Sequence, residues 1–294
     1  MPSERLVEAA DAPALSRRAA TWASTMDGHP ASVAGITCAH NGAPGLGKRA
    51  GDPRPPAPRP SSDRLGAPGG SELVLDLAVL DRVARERLEA ELYAPGATRA
   101  AGAGNRARPE EPDPYRTCFE RDRDRILHSA AFRRLAGKTQ VFVFPADHQR
   151  TRLTHALEVA QVATAIARAC RLNVALTEAI ALGHDCGHGP GGHASEDAFT
   201  PLLPGGFDHA VWGADITAAP LNLCDETLDG IRNHSWSRPA PETPEGEVVA
   251  LADRIAYSAH DLEDAVRAGI VGPEELPEQV TERCGRARGR QLHV

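Results

Sequence analysis

Aromatic residues are scarce in this chain of 294 residues: Phe, Trp and Tyr together make up 4%. A platform that stacks unpaired bases needs exposed rings, so the scarcity argues against nucleic acid as the main partner. A dominant charge is also lacking. The formal net charge is -7, with 33 basic and 40 acidic side chains interspersed, which leaves no electrostatic footprint for DNA, RNA or an anionic membrane. Cysteine pairs are missing as well. Six cysteines stand at 38, 118, 170, 186, 224 and 284, none in a C-x-x-C pair, so they read as free thiols and exclude a zinc ribbon or disulfide framework. No apolar run approaches membrane-spanning length and no basic-then-apolar leader opens the chain, so the expectation is a cytoplasmic protein without a membrane partner. Alternating strand patterns are too sparse to build a sheet.

What the chain does have is an uneven distribution of proline, glycine and helical patterning. Residues 1–72 are rich in Pro and Gly, as in Gly51-Asp52-Pro53-Arg54-Pro55-Pro56, and are expected to form a disordered extension. Within them, 42–49 imitates a phosphate-binding loop, but Arg49 stands where a metal-binding hydroxyl is needed and no apolar strand precedes the glycines. Residues 73–114 read as one helix, ended by Pro95-Gly96, followed by a linker. Further helices are expected over 121–135, 151–170, 177–184 with Thr177 as N-cap, 228–234, 247–260 and 262–268, with 138–145 as a short extended piece. The fold class is therefore all-α, with a main domain over 115–275 and a short tail over 276–294.

Nine of the 12 histidines fall between His128 and His260. Clustering alone decides little, because most histidines are structural or surface groups. Placement is more telling. His184 and Asp185 sit side by side where an apolar helix meets Gly187, Gly189, Gly191 and Gly192, so a ligand can reach both at the rim. Adjacent helical residues point about 100° apart and can share an ion only at its edge. Other helices must supply the remaining ligands. His155, near the start of the preceding long helix, is one candidate. Asp253 is another, since a carboxylate within an apolar helix is costly without a partner. Two imidazoles and two carboxylates suit one divalent ion such as manganese, magnesium, iron or cobalt and leave positions open.

With these residues, an ordered series of motifs becomes visible. It runs from Arg121-Asp122-Arg123-Asp124-Arg125-Ile126-Leu127-His128-Ser129 through Ala131-Phe132-Arg133-Arg134-Leu135 and Lys138-Thr139-Gln140-Val141-Phe142. It continues with Arg150-Thr151-Arg152-Leu153-Thr154-His155, His184-Asp185-Cys186-Gly187-His188, Gly206-Phe207-Asp208-His209 and Ala252-Asp253-Arg254-Ile255-Ala256-Tyr257. Over about 115–270 the chain resembles the deoxyguanosine triphosphate triphosphohydrolase-like branch of the HD-domain superfamily. The resemblance implies an HD-type helical bundle that hydrolyses a deoxynucleoside triphosphate to deoxynucleoside and tripolyphosphate. It implies His155, His184, Asp185 and Asp253 as metal ligands, His193 with Glu196 as a catalytic His–acid pair, and His209 as a second active-site histidine. Arg152 and Arg254 would meet the phosphates, and Tyr257, Asp261 and Gln140 would lie near the sugar. His193 and Glu196, at i and i+3, could meet on one helical face, the carboxylate fixing the tautomer. The same resemblance leaves room for a homo-oligomer, for a phosphohydrolase of another nucleotide, and for a nucleotide-binding regulator. His128, His234 and His260 read as structural or supporting groups. Two departures stand out: Gly191 follows Pro190 where the family has an aromatic residue, and Ala210-Val211-Trp212-Gly213-Ala214-Asp215 replaces the family's polar helix after His209.

Overall fold

The computed structural model describes residues 79–292, and the extension expected over 1–72 lies outside them. Eleven α-helices form the described part: α1 (Arg82–Leu92), α2 (Cys118–Leu127), α3 (Ala130–Arg134), α4 (Arg152–Cys170), α5 (Val174–Gly183), α6 (His193–Phe199), α7 (His209–Trp212), α8 (Asp225–Asn233), α9 (Pro244–Arg267), α10 (Glu278–Cys284) and α11 (Arg288–Gln291). Among the described residues there is no strand, only isolated bridges such as Thr139 to Thr151. The extended piece expected over 138–145 is accordingly irregular chain.

Local chemistry sets most boundaries. Thr151 caps α4 by accepting from the Thr154 amide, and Thr154 returns the bond to the Thr151 amide. Thr243 caps α9, with Pro244 in the first turn where its missing N–H costs nothing. The helix expected over 121–135 is two helices, because the Ser129 hydroxyl accepts from the Phe132 amide and restarts the chain as α3. The segments expected over 247–260 and 262–268 are one helix, α9. Thr177 is not an N-cap. Helix α5 begins a turn earlier, at Asn173, whose Oδ1 accepts from the Leu176 amide, while the Thr177 hydroxyl donates back to the Asn173 carbonyl. Helix α1 ends at Leu92, just ahead of the Pro95-Gly96 turn.

Helix α5 is the hub. Its Leu176, Ala179, Ile180 and Ala181 are fully buried, and α2, α4, α8 and α9 pack around it. Each such Leu or Ile contributes about 1.5–3 kcal/mol of burial. Phe119 and Ile126 from α2, Val159 from α4, Ile231 from α8 and Val249 from α9 complete the core. Gly230 lets α8 approach closely: a Cβ there would stand 2.4 Å from Ile180 Cδ1. The outcome is that the C-terminal end of a largely buried helix is presented to the surrounding helices, and His184-Asp185 occupies that end.

Buried ions pin the flanks. Glu245, fully buried, accepts from the Thr98 amide and hydroxyl and from the Asn173 amide. Arg150 joins α4 to α9 by donating to Glu158 and Glu263, each at 2.8 Å, and to Asp264. His260 Nδ1 lies 3.1 Å from the same Glu158. Burial alone would raise the Glu158 pKa, but the hydrogen bonds from His260 and Arg150 outweigh it and hold the carboxyl near 2, against an ordinary 4.5. A carboxylate with a depressed folded pKa adds stability above its unfolded value and loses it as pH falls toward the folded one. Stability should therefore fall as pH drops from about 4.5 to about 2, and Glu158→Gln should lower the melting temperature at pH 7 while flattening that acid limb. Equal acid sensitivity in both proteins, followed by thermal melts across pH, would reject this role.

Candidate metal centre and active-site cavity

At the end of α5 the His184 Nδ1 donates to the Ala181 carbonyl at 2.7 Å, which leaves its Nε2 lone pair facing outward. The chain then turns through Gly187, where only glycine is tolerated. A Cβ there would stand 2.0 Å from the His209 carbonyl and 2.4 Å from the Gly213 nitrogen, both backbone atoms that cannot swing aside. This contact seats α7, and with it His209, against the His184-Asp185 turn. His155 enters from the first turn of α4 and Asp253 from the middle of α9.

Four atoms converge. His155 Nε2 lies 2.9 Å from Asp253 Oδ1 and 3.9 Å from Asp185 Oδ2, while His184 Nε2 lies 3.5 Å from Asp185 Oδ2 and 3.8 Å from Asp253 Oδ1. Ligand atoms about 2.1 Å from one ion stand about 3.0 Å apart at right angles and about 3.4 Å apart at the tetrahedral angle. The four edges, 2.9 to 3.9 Å, bracket that spacing; His155, His184 and Asp253 bring ligand atoms within 4.8 Å of one another, and Asp185 does so with His184 and His234. The donor set is also neutralising, with two carboxylates opposite two imidazoles. Burial would raise the Asp185 pKa, yet the charges of His184, Arg152 and His188 hold it well below the ordinary range. Asp253 is likewise brought down to about 2, against its own burial, by the His155 hydrogen bond and the nearby imidazoles.

A second set of imidazoles lies beside the first. His188, His193 and His209 bring ring nitrogens within 4.8 Å of one another. Their orientation suits proton handling better than coordination, because His188 and His209 stack face to face, 3.6 Å apart and 10° from parallel. Lone pairs in parallel ring planes do not converge on one ion. Burial pushes His188 down to about 3 and His234 to about 4, so both are neutral near pH 7.

The expected pairing of His193 with Glu196 is not what the structure has. Glu196 Oε1 accepts from His209, both from its backbone amide and from Nδ1, each at 2.6 Å. His193 opens α6 at its first position and turns toward the cavity, its pKa lowered chiefly by burial and then by the Arg152 charge. On its other side, His209 Nε2 meets His234 Nε2 at 3.2 Å. His234 Nδ1 donates to the Ile231 carbonyl, so in neutral His234 the Nε2 can only accept. His209 thus stands between the Glu196 carboxylate at Nδ1 and the His234 ring at Nε2.

All these groups surround one cavity of about 410 Å³. Ten of the twelve expected site residues line it: Gln140, Arg152, His155, Asp185, His193, His209, Asp253, Arg254, Tyr257 and Asp261. His184 lies beneath the wall and Glu196 stands behind His209. Arg152, buried, donates to Asp185 Oδ2 at 2.7 Å. Gln140 Nε2 reaches both Asp261 oxygens at 3.3 and 3.4 Å. Burial raises the pKa of Asp261. Six lining residues fall outside those twelve: His188, His234, Ser235, Trp236, Ser237 and Ala250. His188 stands in the quoted His184 motif, a signal that was available; His234 was expected only as a structural or supporting group, and Trp236 lies in a stretch with no local pattern. Cys186 also borders this region, but burial pushes its thiol up to about 12, so it is inert as a nucleophile. All five described cysteines are free.

Comparison with known proteins places this geometry. The HD domain family model matches residues 152–258, which hold all four converging atoms. A deoxyguanosinetriphosphate triphosphohydrolase-like protein of Caldanaerobacter subterraneus is 50% identical over 214 residues, covering 70% of this chain and 63% of the relative. The chain belongs to this family of HD-domain proteins. Like-named relatives in Desulfatibacillum aliphaticivorans and Clostridium perfringens are 46% and 48% identical, covering 68% and 64% of this chain. This HD-domain chain spans 62% and 58% of their lengths, under two thirds in each case. Among the described residues no helix is long and apolar enough to cross a membrane.

Proposed function

We propose that this HD-domain protein is a metal-dependent hydrolase that splits a deoxynucleoside triphosphate into deoxynucleoside and tripolyphosphate. The observation that carries the reading is the approach of His155 and His184 to Asp185 and Asp253, at 2.9 to 3.9 Å, beside a cavity that also holds two arginines and His209. A divalent ion held by these four, whether manganese, magnesium, iron or cobalt, supplies Lewis-acid charge and lowers the pKa of water near the phosphates. The remaining work belongs to side chains.

Arg152 and Arg254 set the phosphate chain in the cavity by charge-assisted hydrogen bonds. Arg152 is fixed by Asp185, while Arg254 lies at the mouth. His209, held at Nδ1 by the ionised Glu196, serves as the proton donor to the 5′ oxygen that leaves when water attacks the α-phosphorus. The water oxygen bonds to the α-phosphorus as the bond from that phosphorus to the 5′ oxygen breaks, the 5′ oxygen takes a proton from His209, the proton lost by the water restores the imidazole, and three linked phosphates depart together. His193, neutral and facing the cavity, orients a phosphate oxygen. Gln140, Asp261 and Tyr257 present hydroxyl and carboxylate partners for a sugar. Burial already raises the Asp261 pKa, and a sugar hydroxyl gives its carboxylate a donor.

The test is product identity. Purified protein incubated with manganese and each of the four deoxynucleoside triphosphates should release tripolyphosphate, resolved by anion-exchange chromatography. Pyrophosphate or single phosphate as the first product would replace this reading with attack at another phosphorus. No product from any nucleotide would remove the hydrolase assignment.

A further inference from the structure

Trp236 lies in the loop between α8 and α9, 63% exposed, and the proposed reaction uses it for nothing. An exposed indole is costly unless something holds it, and here two contacts do. Its Nε1 donates to the Ala250 carbonyl of α9 at 3.2 Å, which fixes the plane of the ring. One helical turn further along α9, the Arg254 guanidinium carbon sits 3.9 Å from the ring centroid. Both residues line the reaction cavity.

The two cavity arginines are held in opposite ways. Arg152 is buried and tied to Asp185, so a carboxylate already takes part of its charge. Arg254 is exposed, and among the described residues no carboxylate pairs with it. A long exposed arginine loses rotamer freedom when it binds a phosphate, which weakens binding. A carboxylate could hold it in place, but would compete with the phosphate for the same N–H groups. An aromatic face holds the cation through its ring quadrupole and leaves the N–H edge open.

We propose that Trp236 is a positioning residue, whose ring holds the Arg254 guanidinium over the cavity with its donor edge free for phosphate oxygens. The inference deepens the proposed function, since it rests on Arg254 meeting the phosphates. The rival role for an indole at a nucleotide cavity is stacking on the base, and a ligand without a base separates the two.

Inorganic tripolyphosphate is such a probe. Its affinity for the full chain is measured by calorimetry for the wild type, Trp236→Leu, Trp236→Phe, Arg254→Met and the Trp236→Leu/Arg254→Met double variant. Trp236→Leu should weaken binding about three- to tenfold, and Trp236→Phe, which keeps an aromatic face, should recover most of that loss. In the Arg254→Met background, Trp236→Leu should have no further effect. Unchanged tripolyphosphate affinity in Trp236→Leu, or a full loss that adds to that of Arg254→Met, overturns the proposal. Turnover of deoxynucleoside triphosphates is followed in parallel. Coupling without turnover would sink the hydrolase reading and leave the Trp236 role standing; turnover without coupling would do the reverse. Melting curves on each variant check that the exposed loop position leaves the fold intact.

Discussion

Asp185→Asn should strip the protein of bound divalent metal and abolish turnover while leaving it folded. The size of the effect follows from what Asp185 touches. Oδ2 lies among the converging ligand atoms and accepts from Arg152, while Oδ1 is 3.1 Å from His188 Nε2. Losing a partner that merely orients a metal ligand costs about 10–100-fold. Losing a group that, as proposed, ligates the metal directly and also balances a buried arginine should cost more, at least about 10³-fold in turnover. The choice of asparagine matters. Arg152 and Asp185 are both buried, and Asp185→Ala would leave the guanidinium unpartnered at a cost of about 3–5 kcal/mol. Loss of metal would then be inseparable from loss of fold. Asparagine keeps an oxygen acceptor for Arg152 but loses the negative charge. Metal content by atomic emission, beside a thermal melt, reads the two effects apart. A variant that retains one metal per chain would remove Asp185 from the ligand set.

That Asp185 could be singled out at all shows which information the sequence carries locally. The apolar run ahead of His184-Asp185, and the glycines behind it, mark a buried helix ending at a rim, and both features are written in consecutive residues. Asp253 stands out as a carboxylate inside an apolar helical pattern, costly without a partner, and His155 as a residue near the start of the long helix before His184. The break at Ser129 is a local cap, but the start of α5 is also held by contacts made elsewhere. Asn173 rather than Thr177 starts α5, because the Asn173 amide donates to Glu245, 72 positions along the chain, while its side-chain amide donates to the Thr98 carbonyl. Trp236 and Arg254 meet across a loop and a helix, so no window of sequence contains both. His234 gains its place only when α8 packs on α5 and brings its ring within 5.0 Å of His184.

Glu196 is the sharpest instance, and it yields the second large effect. Spacing of i and i+3 points Glu196 at His193, whereas Gly187 allows α7 to press in and offer His209 to the carboxylate instead. The two pairings predict different double variants. Burial would raise the Glu196 pKa, but the His209 hydrogen bond and charge hold it near 2, so it stays ionised across the physiological range. Its charge stands directly against the His209 Nδ1. Glu196→Gln removes that charge, and kcat should fall about 10²–10⁴-fold, the span of general acid–base catalysis. Metal content should not change, since Glu196 contributes no atom to the four-ligand set. Residues that act as one unit are not additive. Glu196→Gln combined with His209→Asn should therefore be no slower than His209→Asn alone, whereas Glu196→Gln combined with His193→Ala should show the product of both losses. The reverse pattern in single-turnover rates would return Glu196 to His193 and leave the His209 contact a matter of packing.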